Sequence, residues 1–135
     1  MLRMIEKRKQ GPSQWSVPGA EDMVRVSATC CGRRNKTQIN IIIGRNVAEK
    51  IKIDKGDFVS VGVDSIQKFF ELRKVSNNSG FKVTSGGGRG TGTTRQVSFR
   101  NELETTPFVT GPHPAAKMRY ALTNDGLGLI VWYER

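Results

Sequence analysis

The sequence predicts a mainly β protein: about eight short strands in a small barrel or two packed sheets, with one short helix near residues 46–52. Apolar and polar residues alternate in several short runs, Gly, Asn and Asp clusters separate those runs, and one stretch alone has helical spacing. A chain of 135 residues, 36% hydrophobic and 25% charged, has the material for one domain with a modest core.

Residues 1–22 mix Lys, Arg, Pro and Gly around the isolated Trp15 and hold no period, so they read as a basic arm ahead of a single β-rich domain at 23–135. From Met23 on, Val24, Val26 and Ala28 share one face of a strand while Arg25, Ser27 and Thr29 take the other. A polar turn at 32–36 leads to a second strand, 38–43, with Ile39, Ile41 and Ile43 in phase. Asn46 is a suitable helix N-cap with Glu49 three residues on, and Val47, Ala48 and Ile51 supply an apolar stripe. The turn at 54–57 precedes a strand carrying Val59, Val61 and Val63, and Phe70 and Leu72 are core candidates of the next.

Phe81 and Val83 mark a short strand, and the glycine-rich stretch 85–94 is too costly in backbone entropy for regular structure. Val97 and Phe99 mark another strand. Asn101–Leu103 begins a short helix or turn, and Pro107, Gly111, Pro112 and Pro114 make an extended loop. Met118, Tyr120 and Leu122 alternate, Asn124-Asp125-Gly126 is a hairpin turn, and Leu129, Val131 and Tyr133 close the chain. The order of elements in 38–75 returns in 96–133, a repeat of pattern with little residue identity.

Charge points to the partner. Lys and Arg number 22 against 12 Asp and Glu, a net +10, which favours a polyanion such as nucleic acid. Residues 76–100 carry four basic side chains and no acidic one, whereas 101–135 are nearly neutral. Arg33, Arg34 and Lys36 crowd one turn and repel one another unless an anion compensates them. Arg45, Lys50 and Lys52 border the helix, with Glu49 and Asp54 close enough to pair with them. Arg25, Arg95 and Arg100 fall on the polar phase of their strands, and Arg89 sits in the glycine-rich stretch. These ten cations are the candidate nucleic-acid contacts. Trp15, Phe69 and Trp132 would stack on bases if exposed; for Phe69 and Trp132 the competing reading is sheet packing.

Catalysis has little to work with. His113 lies between two prolines with no second imidazole, and adjacent Cys30 and Cys31 read as reduced strand residues, since strand neighbours point to opposite faces. The glycine-rich stretch places Gly87 and Gly92 at P-loop spacing, but Thr93 stands where the lysine is required. No enzyme activity, cofactor or metal is therefore expected. No apolar run nears the roughly 20 residues of a membrane span, and the N-terminus lacks the apolar middle of a secretory signal. A cytoplasmic protein is expected, in the host cell if the chain is phage-encoded.

Residues 38–75 resemble the swapped-hairpin unit of the AbrB, SpoVT and MazE family of DNA-binding proteins. The likeness rests on the strand Ile39-Asn40-Ile41-Ile42-Ile43, the helix from Asn46 to Ile51, and the Gly56-Asp57 turn that leads into Phe58-Val59-Ser60-Val61. Family members carry a proline at the strand-to-helix junction, where this chain has Gly44-Arg45, and they close their barrel by dimerisation. The resemblance implies DNA binding with a role in transcription or replication, and either two AbrB-like halves in one chain or a homodimer. The whole chain is also similar to small β-rich bacteriophage proteins. Two other functions stay open: a single-stranded DNA or RNA binder, and a phage interaction or structural protein that binds a host or virion protein.

Overall fold

Alternation in the sequence becomes inside and outside in the structure. The computed structural model describes residues 19–31, 36–76, 79–85, 94–100 and 113–133. A 3₁₀ turn at Ala20–Asp22 precedes β1 (Val24–Cys31), β2 (Lys36–Ile43), α1 (Arg45–Lys50), β3 (Phe58–Asp64), β4 (Phe69–Val75), β5 (Phe81–Lys82) and β6 (Thr84–Ser85). Then come β7 (Arg95–Arg100), β8 (His113–Met118), β9 (Tyr120–Leu122) and β10 (Gly128–Trp132). No helix among the described residues is long and apolar enough to cross a membrane.

The fold is mainly β, two antiparallel five-stranded sheets in the orders β6-β7-β2-β1-β8 and β5-β3-β4-β10-β9. Only Val83 separates β5 from β6, and only Arg119 separates β8 from β9, so two chain segments pass from one sheet into the other. The ladder thus runs around a closed circuit of eight segments, with 81–85 and 113–122 each shared between the two sheets. Buried Val83 pins one corner: its N–H donates to the Asp57 carbonyl at 2.7 Å and its carbonyl accepts from Gly56 N at 2.9 Å.

The inner faces make one core. Ile39, Ile41 and Ile43 of β2 and Val24 and Val26 of β1 are fully buried, as are Phe70, Leu72, Leu129 and Val131 of the second sheet. Each such side chain contributes about 1.5–3 kcal/mol through removal from water. Phe70 joins the two layers, edge-on to Phe99 with ring centroids 5.4 Å apart and tilted against Tyr133 at 4.8 Å.

Several expectations need correction. The helix is Arg45–Lys50, and its N-cap is Gly44, which has no side chain to cap with. Asn46 instead donates from Nδ2 to Asp22 Oδ1 at 2.9 Å. The reason is crowding: a Cβ on Gly44 would lie 2.2 Å from the Ala20 carbonyl oxygen, so the 3₁₀ turn occupies the space a capping side chain needs. That turn also orders 20–22, placed in the arm by the sequence. Ser85 pairs with Arg95 in a ladder although it opens the glycine-rich stretch. His113 and Pro114 begin β8 instead of ending a loop; within its sheet β8 pairs on one side only, with β1, which tolerates a proline. The arm at 1–18, the glycine-rich 86–93 and the loop and Asn-led segment of 101–112 lie outside the described residues.

Candidate nucleic-acid interface

Register decides which cations share a surface. In β1 the buried residues are Val24, Val26 and Ala28, so Arg25, Ser27 and Thr29 face outward. Pairing aligns Arg25 with Ile42 and Lys117, Ser27 with Asn40, and Thr29 with Gln38. Across β2, Gln38 pairs with Arg100, Asn40 with Ser98 and Ile42 with Gln96. The outer face of the first sheet is therefore a polar field in which Arg25, Arg100 and Lys117 stand. Lys36 pairs with Cys31 in the ladder.

Asn40 organises the middle of that field. It is only 5% exposed although it faces outward. Its Nδ2 donates to Ser27 Oγ at 3.2 Å and Thr29 Oγ1 at 3.3 Å, and its Oδ1 accepts from Gln38 Nε2 at 3.0 Å and Ser98 Oγ at 2.8 Å. Both donors and both lone pairs of the amide are used. Gln96 Nε2 extends the chain to Ser98 Oγ at 3.0 Å. The network is neutral, so it holds the face flat and polar without cancelling its charge.

No strand of the first sheet contains an Asp or Glu. The second sheet does, at Asp64 and Glu71, and there Arg73 and Lys74 are engaged. Arg73 bridges Glu71 at 2.8 Å and Asp125 at 2.9 Å, and these bonds raise the affinity of its guanidinium for its proton. Lys74 lies 3.4 Å from Asp57. Among the described residues no carboxylate pairs with Arg25, Arg100 or Lys117.

Arg95 does not belong to the outer field. It shares the phase of Val97 and Phe99, pairs across the ladder with Ile43, and contacts Asp54 Oδ1 from Nη2 at 2.8 Å and Nε at 3.0 Å. The sequence expectation of a polar-phase Arg95 is thus overturned, because the strand's buried residues fix the opposite phase as outward. Asp54 accepts the Lys55 backbone N–H at 2.7 Å, and that bond, followed by Arg95, holds its carboxyl below the usual range. Asp54 therefore spends its charge on Arg95 and not on Lys50 or Lys52, as the sequence suggested. Arg45, Glu49, Lys52 and Arg95 line a shallow groove beside α1, and Lys50 ends the helix. This second cation group shares its groove with Glu49 and Asp54.

The aromatic candidates lie on the other sheet. Phe69 and Trp132 pair across β4 and β10 and meet edge-on with centroids 5.8 Å apart. The Arg119 guanidinium covers the Trp132 ring at 4.1 Å. Both rings are half-buried by these partners, and Asp64 and Glu71 flank Phe69 along a shallow groove. These two rings and the cations Arg25, Arg100 and Lys117 are consequently presented by different sheets. Arg33, Arg34, Arg89 and Trp15 fall outside the described residues. Lys117 was missed by sequence reasoning, yet the signal was there: it occupies the polar phase between buried Met118 and half-buried Ala116.

Comparison with family models, curated proteins and solved structures finds no match to this chain. Among the described residues no group of three His, Cys, Asp or Glu side chains is placed to hold a metal.

Proposed function

We propose that this chain is a non-enzymatic DNA-binding protein that grips backbone phosphates with the outer face of its first sheet. One observation carries the reading: five paired strands hold Arg25, Arg100 and Lys117 on that face with no acidic residue among them. Unpaired cations on a shared face attract a polyanion and gain entropy by releasing its counterions. Phosphate contact of this kind supplies affinity and register; base readout needs further contacts.

The strand, short helix and two strands of 36–75 follow the order of the swapped-hairpin unit that 38–75 resembles, which favours a regulatory use in transcription or replication inside the cell. A single-strand binder draws less support. Its stacking rings are taken up within the protein: Phe69 and Trp132 pack edge-on, and Arg119 covers the face of Trp132.

The test is fluorescence anisotropy of labelled duplex and single-stranded oligonucleotides with nuclease-treated protein across a salt series. Three phosphate contacts give a log–log salt slope of about −3 on duplex. The triple variant Arg25→Gln, Arg100→Gln, Lys117→Gln is expected to keep its fold and to lose most of that slope. Absence of binding to either form at low salt overturns the proposal and leaves a protein partner for the basic face.

A further inference from the structure

The strand pairing is unchanged when the two halves of the chain exchange places. Match β1, β2, β3 and β4 to β5–β6, β7, β8–β9 and β10. The β1–β2 pair then becomes β6–β7, β3–β4 becomes β9–β10, β1–β8 becomes β5–β3, and β2–β7 and β4–β10 each become themselves. Registers obey the same exchange: Val24 opposite Met118 becomes Phe81 opposite Val59, and Ser27 opposite Asn40 becomes Thr84 opposite Gln96. Val63 opposite Phe70 becomes Leu122 opposite Leu129. Four buried residues fall on buried residues, Val26 on Val83, Ile41 on Val97, Phe70 on Leu129 and Leu72 on Val131, whereas buried Val24 falls on Phe81, which is 42% exposed.

An approximate two-fold axis therefore passes through the Ile41–Val97 pair of the first sheet and the Glu71–Ile130 pair of the second. It emerges in the middle of the basic face, beside Asn40 and Ser98. Under this axis Arg25, opposite Lys117, corresponds to Lys82, opposite Phe58. Lys82 is hydrogen-bonded into the second sheet, but it stands two residues before Thr84 of the first, as Arg25 stands two before Ser27. It is exposed, and no carboxylate among the described residues pairs with it.

We infer that one chain presents two related half-sites to a single segment of duplex DNA, with Lys82 the phosphate-contacting counterpart of Arg25. The inference rests on the DNA-binding reading and adds the form of the ligand. The antiparallel backbones of a duplex are themselves related by two-fold axes perpendicular to the helix, so Arg25 and Lys82, the one pair of cations that this axis relates among the described residues, meet the two strands in equivalent positions. A single strand has no such axis. Among the described residues the strands of the first sheet carry no outward Phe, Tyr or Trp on which an unpaired base would stack, since Phe99 turns inward onto Phe70 and Phe81; the ring opposite Lys82 is the half-buried Phe58.

The experiment compares Arg25→Gln, Lys82→Gln and, as a control, exposed Lys55→Gln, each checked for an unchanged melting temperature, by anisotropy on duplex and single-stranded oligonucleotides of one sequence. Expected is a similar loss of duplex affinity, about three- to tenfold, for the Arg25 and Lys82 variants, with the salt slope reduced by about one in each. The Lys55 variant binds as the parent does. Duplex binding that falls with Arg25→Gln but not with Lys82→Gln overturns the two-fold site and leaves the DNA-binding reading standing, as does equal affinity of the parent for single strands. Failure of the parent protein to bind duplex or single strand at low salt overturns both.

Discussion

Single residues set the positions of the elements that frame the basic face. Gly44 lies between β2 and α1 with its N–H donated to the Met23 carbonyl at 2.8 Å. Any larger residue would drive its Cβ into backbone atoms of Ala20 and Glu21, which cannot rotate away as a side chain can. Gly44→Ala is therefore expected to destabilise the protein by about 2–3 kcal/mol, read as a lower denaturation midpoint with an unchanged slope. An Ala variant as stable as the parent would show that the 3₁₀ turn yields freely. Asn40 acts in the opposite sense, filling space with polarity instead of emptying it. Its amide satisfies four neighbours, so the centre of the face is rigid while the charges around it remain unengaged.

At the scale of elements, the β9–β10 hairpin is tied to β4 through one carboxylate. Asp125 accepts from the Thr123 hydroxyl, from Leu127 N at 3.0 Å and from Arg73 Nη1 at 2.9 Å, and these bonds, in that order, hold its carboxyl far below the usual range. Asp54 likewise joins the β3 approach to β7 through Arg95. A carboxyl depressed in the folded state adds stability above its unfolded pKa of about 3.9, and that contribution disappears as pH falls toward the folded value. Thermal melts are thus expected to be level between about pH 7 and pH 5 and to drop below about pH 4. Asp125→Asn is expected to melt lower at neutral pH and to show a smaller acid drop. An acid profile identical to the parent's would mean that the hairpin tie contributes nothing.

The whole molecule is bound together by pairs that are distant in sequence. β1 needs β8, β2 needs β7 and β4 needs β10, so neither half of the chain can keep its ladder without the other. Shared burial of Phe70 against Phe99 and Tyr133 makes the same point in the core. Unfolding should consequently be one transition, with far-ultraviolet circular dichroism and tryptophan fluorescence coinciding across a urea titration. Refolding should fall in the millisecond-to-second range typical of non-local β topologies. Two separated transitions would mean that the halves are independent units, which the interleaved pairing contradicts.

The sequence by itself determined the strands, because a period of two states which side of each strand is buried without reference to any partner. Ile39-Ile41-Ile43, Val59-Val61-Val63 and Leu129-Val131-Tyr133 were readable for that reason, and so was the outward phase of Arg25 and Arg100. Where no period existed, local chemistry misled. Asn46 has the composition of a cap, but a turn twenty-odd residues earlier fills the capping space; Arg95 sits beside polar neighbours, yet Asp54 and the inward phase of Val97 claim it. Only the tertiary structure decided which strands lie side by side, since pairing depends on closure of the whole circuit and not on any strand's own residues. That closure puts Arg25, Arg100 and Lys117 on one sheet and Phe69 and Trp132 on the other, and relates Arg25 to Lys82 across a common axis.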